Sequence, residues 1–353
     1  MDQNIMRTTG WTIGLDLGDR FVEGCVVDEA GETVERFRIR TRREDLEKRL
    51  GAYASCRVVL EVGTHSPWIS RLVTSCGHET IVANPRRVRL IAQNDSKSDA
   101  VDAELLARLA RIDPNLLKPV VHRGEQAQRD RILLQARDGF VRARTQLVNQ
   151  VRGFAKSLGT KRPSCSTVTF TKKVRAAEGQ DLFPGLATML TMIDQLSEQI
   201  RGMDREIEKL SEERYPETKI LRQVPGVGSL TALCFVLTIE DPSRFAKSRS
   251  VGAYLGLRPR QRDSGEYRPQ LRITKAGDRL LRRLLVTSAH YVLGPFGPET
   301  DLRRWGLRLA ERGGKAGKKR AVVATARRLA VLLHRLWITG EDYRPLLEER
   351  VAA

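Results

Sequence analysis

Four acidic residues in the first third of the chain are spaced so that they could bind a metal ion. Asp16 lies near the end of the first predicted strand, and Glu61 lies near the end of an apolar segment, Arg57–Val62, that predicts a buried strand. Asp99 and Asp102 are three residues apart at the start of an amphipathic segment, so in a helix they share one face. Four carboxylates brought together without a cation would repel one another and raise each other's pKa. With Mg²⁺ they become hard oxygen ligands, and two such ions support an in-line phosphoryl displacement.

Each acid also has a simpler structural explanation. Aspartates at strand ends often cap or turn the chain, and Asp99 suits a helix N-terminus. A glutamate inside an apolar strand is harder to explain, because burying a carboxylate is costly unless it is paired or bound to a metal. We therefore favour a metal site for the combination, and we expect Asp19, close to Asp16, to be exposed in the turn after the strand.

A serine in the last third of the chain is the candidate nucleophile. Ser264 follows Asp263 and precedes Gly265, and Asp-Ser-Gly is by itself typical of a turn, which spacing alone favours. A nucleophilic serine needs exposure, positive charge near the attacked phosphate and a group that takes its proton. None of the five histidines is an evident base, so a metal held by the acids is the candidate if the two regions meet. The positive charge comes from Arg258, Arg260, Arg262, Arg272 and Lys275.

The elements that must position the acids are predicted to form an α/β region. Three strands, a helix, a strand, a helix and a strand follow one another, and this order resembles that of ribonuclease-H-like proteins. Ser66 is predicted to cap the second helix, with Pro67 at its first position. The predicted elements are the strands Trp11–Gly18, Phe21–Asp28 and Thr33–Arg40, the helix Arg43–Tyr53, the strand Arg57–Val62, the helix after Ser66, the strand Glu79–Ala83 and a further helix, Ser98–Ile112.

Two long amphipathic segments follow in the middle of the chain. Apolar residues recur at helical spacing from Gln128 to Leu158. From Leu186 to Leu210 they recur in alternating steps of four and three, which is a heptad pattern. With the polar linker 160–173 between them, these segments predict two long helices, paired as an antiparallel hairpin or used for dimerisation.

The last region is predicted to be mainly helical. It contains helices at Ser229–Ile239, Asp278–Leu293 and Ala321–Ile338, the last of them after a basic, glycine-rich stretch at 312–320. The segment Gly226–Gly228 resembles the turn of a helix–hairpin–helix, where backbone N–H groups meet a phosphate, although any helix–helix turn can carry such glycines. We predict three domains: 1–122 with the acids, 123–213 with the long helices as a coiled-coil region, and 214–353 with Ser264.

The charge of the chain predicts a polyanionic partner. There are 62 Lys and Arg residues against 43 Asp and Glu, a formal net charge of +19. A ribosomal or membrane-surface protein is also basic, but an apolar fraction of 41% indicates folded domains rather than a basic tail. The one-signed surplus on the first long helix favours nucleic acid over a solvated helix face. The candidate nucleic-acid contacts are Arg86, Arg87, Arg144, Arg152, Arg258, Arg260, Arg262, Lys275, Lys318 and Lys319.

The cysteines and the apolar segments bear on the cellular compartment. The five cysteines are scattered without a CxxC pair, which argues against a disulfide framework or a zinc site and fits a reducing cytoplasm. The first ten residues lack the apolar stretch of a signal peptide, and no apolar run is long enough to span a bilayer. We expect a soluble cytoplasmic protein associated with the nucleoid.

In order and spacing, several motifs together resemble those of the DEDD-type transposases of insertion-sequence family one hundred and ten, which are described as bridge-RNA-guided serine recombinases. The resemblance extends over nearly the whole chain. One departure follows Glu61, where Val62-Gly63-Thr64-His65 replaces the Ala-Thr-Gly and aromatic that are common in the family, so we assign His65 no role. The matching segments are 14–16, 59–61, 84–88, 97–103, 144–149, 225–228, 253–257, 260–265 and 273–277.

The resemblance implies a fold and a mechanism. It implies a RuvC-like first domain whose Mg²⁺-binding acids map to Asp16, Glu61, Asp99 and Asp102, and a C-terminal transposase domain whose nucleophile maps to Ser264. It further implies a covalent phosphoserine intermediate, and a dimer or tetramer in which the serine of one subunit completes the acidic site of another. A structured bridge RNA would pair with target and donor DNA. Base pairing would then supply the sequence specificity, and the basic protein surface would recognise the backbone and the shape of the nucleic acid.

Two other functions remain open from the residues. A metal-dependent, junction-resolving nuclease would use water and the acids, with Ser264 structural, and would leave free ends without a covalent adduct. A non-catalytic nucleic-acid-binding protein would lose little when Asp16 is replaced by Asn, apart from slight effects on binding.

Overall fold

The chain folds into two compact units, one ending at Gly124 and one beginning at Glu125. The computed structural model describes residues 10–86, 88, 98–159, 164–178, 183–265, 267, 269 and 271–346. None of the described helices is long and apolar enough to cross a membrane. The first unit is a mixed α/β structure and the second is mostly helical, which confirms the predicted fold class at this level. The division into three domains stays a prediction.

The first unit is built on a single sheet of five strands. Their order across the sheet is the third, second, first, fourth and fifth; the first three are antiparallel, and the fourth and fifth run parallel to the first. The predicted strands match the observed ones to within one residue at each end. The strands are β1 (Thr12–Leu17), β2 (Phe21–Val27), β3 (Thr33–Arg40), β4 (Arg57–Glu61) and β5 (Glu79–Ala83).

Helices cover both faces of this sheet. Because strand side chains alternate between faces, Ile13 and Leu15 of β1 point to one side, where they share a core with Leu46 of the first helix and Ile69 of the second. The opposite face packs against the third helix through Val59 and other small or branched residues. The helices of this unit are α1 (Arg43–Leu50), α2 (Ser66–Ser75) and α3 (Asp99–Ile112).

The third helix lies unusually close to the first strand at Gly14. A Cβ atom added to Gly14 would lie 1.9 Å from the carbonyl oxygen of Ala103 and 2.8 Å from the amide nitrogen of Ala107. These two alanines pack with Cys25 and Val27 of β2 in a small, fully apolar cluster. The absence of a side chain at position 14 therefore sets how near α3 approaches the sheet.

Two predicted details of the first unit are wrong. The first helix ends at Leu50 rather than Tyr53, because the chain turns at Gly51 and Tyr53 packs into the core beside Trp11. Ser66 does not cap the second helix but is its first residue, and its hydroxyl instead accepts a hydrogen bond from the backbone N–H of Gly63 at 3.0 Å.

The long helices of the second unit form an antiparallel hairpin, one of the two arrangements that their patterns predicted. They are α4 (Glu125–Ser157) and α6 (Pro184–Glu213), and two side-chain pairs fix their direction. Arg137 contacts Asp204 at 2.8 Å, and Arg144 contacts Ser197 at 3.3 Å, so the two helices run in opposite directions. A further helix, α5 (Phe170–Glu178), begins within the predicted polar linker 160–173 and extends beyond it, and its Phe170 is fully buried.

The remainder of the second unit packs its helices around one apolar core. The helix predicted at 321–338 begins earlier than expected, because the basic stretch before it, rich in the good helix formers Lys, Arg and Ala, is itself helical. The helix Asp301–Glu311 was not predicted, since its apolar residues are interspersed with arginines. The helices are α7 (Thr218–Leu221), α8 (Ser229–Ile239), α9 (Arg249–Tyr254), α10 (Arg279–Leu293), α11 (Asp301–Glu311) and α12 (Gly314–Thr339).

Replacing Gly14 with Ala should destabilise the first unit by about 2–4 kcal/mol, because the new methyl group must displace the backbone of α3. We expect hydrogen exchange to accelerate in the segments of β1 and α3, with a lower urea midpoint. Gly63 is the matched control, since a Cβ there meets nothing within 4 Å. Gly63→Ala should change stability by less than about 0.5 kcal/mol. Equal effects of the two substitutions would contradict the close approach.

Candidate active site

Two of the predicted acids lie side by side at the ends of neighbouring strands. Asp16 is two residues after Gly14 on β1, so it faces α3. Glu61 is the last residue of β4 and likewise lies two residues after Val59, which packs against α3. Because Leu15 pairs with Leu60 in parallel register, Asp16 and Glu61 are the next residues along adjacent strands, which are spaced about 4.8 Å apart.

The other two acids come from the first turn of α3. Ser98 caps this helix, its hydroxyl accepting a hydrogen bond from the backbone N–H of Val101 at 3.4 Å. Asp99 and Asp102 follow in the first turn, where the unpaired N–H groups of a helix favour negative charge. Asp99 is one turn before Ala103, the residue that lies against Gly14, so the contact at Gly14 brings this end of the helix to the strand ends.

The electrostatics of Asp16 reflect its burial and the charges of the other three acids. Burial, followed by the charges of Asp99, Asp102 and Glu61, raises the pKa of Asp16 from 3.8 to about 6. A hydrogen bond from the backbone at Leu17 lowers the pKa and offsets part of this rise. The fold therefore gathers the four acids that the sequence singles out around one strand end.

The chemistry of these donors fits a hard divalent cation. All four are carboxylates, the oxygen ligands that Mg²⁺ and Ca²⁺ prefer, and a cation would relieve the repulsion that raises the pKa of Asp16. Within the described parts of the chain, no three His, Cys, Asp or Glu side chains are gathered closely enough to hold an ion. Binding an ion would therefore require the carboxylates to move closer together.

The structure adds two charged residues that the sequence did not single out. Glu23 of β2 lies directly opposite Asp16 in the antiparallel register, and it pairs with Arg38 of β3 at 3.1 Å. The guanidinium of Arg38 also lies 4.2 Å from the ring centre of Phe21. The only available signal was the hairpin register, which places Glu23 across from Asp16 once the turn between the two strands is fixed.

A histidine near the site has a defined hydrogen-bond network. Trp68 donates its indole N–H to Nδ1 of His65 at 3.1 Å, so Nε2 carries the proton and donates it to Asp19 at 3.1 Å. The side chain of Asp19 is 93% exposed, as expected from the sequence. We assign this network no chemical step.

Ser264 lies at the tip of a β-hairpin in the second unit. Pro259 pairs with Ile273 near the base of the hairpin and Ser264 pairs with Tyr267 at its tip. The backbone N–H of Ser264 donates to the carbonyl of Tyr267 at 3.2 Å, and Gly265 takes a positive φ of 56° that suits glycine. The serine is therefore a turn residue, and it is exposed, as a nucleophile must be.

The predicted nucleic-acid contacts fall into two groups. Arg144 and Arg152 are half-buried and pack within the helical hairpin. Burial lowers the pKa of Arg144, and Arg152 donates to the carbonyl of Cys165 at 3.2 Å and lies 5.2 Å from the ring centre of Phe170. Arg87 lies outside the described residues. The exposed residues are Arg86, Arg258, Arg260, Arg262, Lys275, Lys318 and Lys319.

The glycine pair before α8 forms a tight turn. Gly226 has a φ of 81°, and Gly228 is the N-cap residue that immediately precedes α8. A Cβ on Gly226 would lie 2.9 Å from the ring of Tyr291, so packing against α10 explains this glycine. Contact of this turn with a phosphate stays a prediction.

Comparison with known proteins identifies the same two regions. A family model described as Transposase, for the DEDD class of IS110 elements, matches residues 13–159, which include all four acids. A second model, described as Transposase IS116/IS110/IS902 family, matches residues 218–301, which include Ser264.

Curated relatives match most of the chain. The transposase for insertion sequence element IS1111A of Coxiella burnetii is 27% identical over 94% of this chain and 91% of its own length. The transposase for insertion sequence element IS1328 of Yersinia enterocolitica is 30% identical, covering 78% and 82%. A putative transposase, y4pF/y4sB, of Sinorhizobium fredii is also 30% identical, covering 81% and 74%.

Asp16→Asn should stabilise the metal-free protein at pH 7. Because folding raises the pKa of Asp16, the folded state binds this proton more tightly, and stability falls as pH rises from about 4 to about 6. The Asn variant escapes this loss, so it should be more stable by about 1–2 kcal/mol at pH 7, allowing for solvent screening of this half-buried carboxyl, and no more stable below pH 4. The measurement is urea unfolding in EDTA across this pH range.

The exposed Asp19 provides the control, and Asp19→Asn should show no such pH-dependent gain. If Asp16→Asn instead destabilises the protein equally at both pH values, the carboxyl does not carry the repulsion described here.

Proposed function

The chain belongs to the IS110 family of insertion-sequence transposases, and we propose that it cuts and rejoins DNA with the four acids of its first unit and Ser264 of its second. It is a transposase, an enzyme of DNA recombination. The observation that carries the proposal is the gathering of Asp16, Glu61, Asp99 and Asp102 at one strand end, where burial and the charges of the other three acids raise the pKa of Asp16. Such clusters are costly for folding and are characteristic of functional sites.

We further propose that the first unit is RuvC-like. Its support is the sheet order, in which three antiparallel strands continue into two strands parallel to the first, with a helix before and after β4. The acids then lie at the carboxyl ends of β1 and β4 and at the start of the helix packed across them.

The four carboxylates would hold Mg²⁺. When bound, the ion would supply positive charge to the phosphate under attack and favour deprotonation of an attacking hydroxyl. The protein's own part is to aim the carboxylates at one place: β1 and β4 fix Asp16 and Glu61, and the capped first turn of α3 orients Asp99 and Asp102.

Ser264 would be the nucleophile. Its Oγ would form a bond to the phosphorus of the DNA backbone while one phosphorus–oxygen bond of that backbone breaks; the hydroxyl proton leaves, and the departing oxygen takes one up. The resulting phosphoserine keeps the phosphodiester energy, so the strand can be rejoined to a new partner. The exposed Arg260 and Arg262 beside the serine favour the negative charge of the phosphate.

A guide RNA and an oligomer complete the proposal. The formal net charge of +19 favours binding of phosphate backbones without sequence preference. A bridge RNA paired to both DNA sites would supply the specificity that such a surface lacks. We propose a dimer or tetramer, in which subunits act on the paired DNA sites together.

The test is a denaturing gel of the protein with labelled DNA spanning an element end, Mg²⁺ and RNA transcribed from the flank of the element. We expect a protein–DNA band that survives denaturation and disappears in Ser264→Ala and in Asp102→Asn. Ser250→Ala is the matched control, because Ser250 is exposed in the same unit, and it should keep the band.

Cleavage without a covalent band would contradict the serine mechanism. It would favour a nuclease that uses water, with Ser264 serving only in the turn.

A further inference from the structure

A cavity of about 610 Å³ lies at the base of the hairpin that carries Ser264. Its volume falls within the range of about 300–1,000 Å³ typical of small-molecule sites. The hairpin forms one wall, and α11 and α12 form the others. The apolar part of its lining includes Leu257, Leu271, Ile273, Leu309, Val323 and Ala324.

The rest of the lining is rich in positive charge. Among the described residues no carboxylate lines the cavity, and Lys275, Arg312 and Lys319 are exposed without a carboxylate partner in the described chain. An ordinary solvated surface carries both positive and negative side chains. The described charged residues of this lining, which form its rim, are all positive. Its cations are Arg272, Lys275, Arg312, Lys319, Arg320 and Arg327.

The position of the cavity connects it to the serine. Pro259 and Ile273, which pair near the hairpin base, both line it, and Ser264 is five residues beyond Pro259. An extended chain spans at most about 3.5 Å per residue, so the serine lies within about 17 Å of the cavity. That distance equals roughly five nucleotide steps of 3.4 Å.

We propose that this cavity binds one unpaired DNA nucleotide within five nucleotides of the phosphate that Ser264 attacks. The base would pack on the aliphatic side chains, as extruded bases pack on apolar residues in enzymes that unstack them, and the phosphates on either side would lie on the cationic rim. The proposal rests on Ser264 acting on DNA.

The chemistry of the cavity favours this occupant over others. A base inside a duplex is stacked and paired, so it cannot offer its apolar face to a concave site. An acidic protein segment would pair with the cations of the rim. Its acidic side chains, however, offer nothing that would pack on the apolar lining. RNA offers the same base and phosphate. DNA is the favoured occupant because the hairpin that forms this wall also carries Ser264, which attacks DNA in the proposed reaction.

The experiment is photo-cross-linking of the full-length protein to a single-stranded DNA oligonucleotide carrying one 4-thiothymidine, followed by mass spectrometry of the cross-linked peptides. We expect cross-links to the segments that contain Leu271, Leu309 or Val323. Unlabelled single-stranded DNA should compete better than the same sequence as a duplex or as RNA.

Two kinds of variant test separately the contributions of the apolar lining and of the cationic rim. Val323→Trp places a large side chain on the apolar lining and should lower the cross-link yield about tenfold, the loss expected when one base loses its packing surface. Arg312→Ala and Lys319→Ala change exposed side chains that the fold does not need, and each should lower the yield about threefold through lost phosphate contact.

Arg335→Ala is the matched control for charge. Arg335 lies on the same helix, roughly 24 Å along its axis from Lys319, with a side chain 64% exposed. The control should keep the wild-type yield to within about twofold. Cross-links only outside the cavity, unchanged yields in the rim variants, or stronger competition by RNA or duplex would each overturn the proposal.

The two proposals fail in different ways. Ser264→Ala should keep the cross-link, since it leaves the cavity intact. A cavity cross-link without any covalent protein–DNA band would overturn the serine mechanism and, with it, the stated distance from the attacked phosphate, while nucleotide binding by the cavity would stand. A covalent band without a cavity cross-link would overturn this inference alone.

Discussion

The close approach of α3 to β1 at Gly14 is the constraint on which the acidic site depends. Without a side chain at Gly14, the backbone at Ala103 comes within van der Waals range of the strand. The same contact fixes the start of the helix, where Asp99 and Asp102 stand, over the end of the strand, where Asp16 stands. The packing of α3 on β1 at an apolar contact thus determines the geometry of the acidic site.

The gathering of the acids opposes folding. A carboxyl with a pKa near 6 binds its proton more tightly in the folded state, so at neutral pH its ionised form weakens the fold. The dipole and free N–H groups at the start of α3 offset part of this cost for Asp99 and Asp102. Proteins accept such local destabilisation where function requires it, and a bound cation would remove it.

Much of this site could be predicted from the sequence, because its strands are short apolar segments and its acids stand at recognisable ends of elements. The position of Glu23 opposite Asp16 could not, since it depends on hairpin register. The packing of Arg144 and Arg152 could not be predicted either, because an arginine on a long helix has the same sequence pattern whether it faces solvent or a packed segment. Arg144 contacts Ser197 of α6, whereas Arg152 contacts the carbonyl of Cys165 and the ring of Phe170 at the start of α5.

The second unit shows the same limit. The Asp-Ser-Gly segment correctly indicated a turn at Ser264, but the hairpin around it has too little alternation to predict. The cavity at its base requires α11, whose arginines mask its apolar face in the sequence, and the early start of α12. Non-local packing, rather than local propensity, therefore determines which of the many cations share one surface.

The central claim is that β1, β4 and α3 hold one metal-binding acidic site. Its most direct test is a crystal structure of the protein with Mn²⁺, a scatterer that can replace Mg²⁺ and be located by its anomalous signal. The account predicts a peak at about 2.1 Å, the usual distance of a hard small cation, from oxygens of Asp16, Glu61 and at least one of Asp99 and Asp102. Carboxylates that stay apart with no peak between them, or a peak only elsewhere, would contradict it.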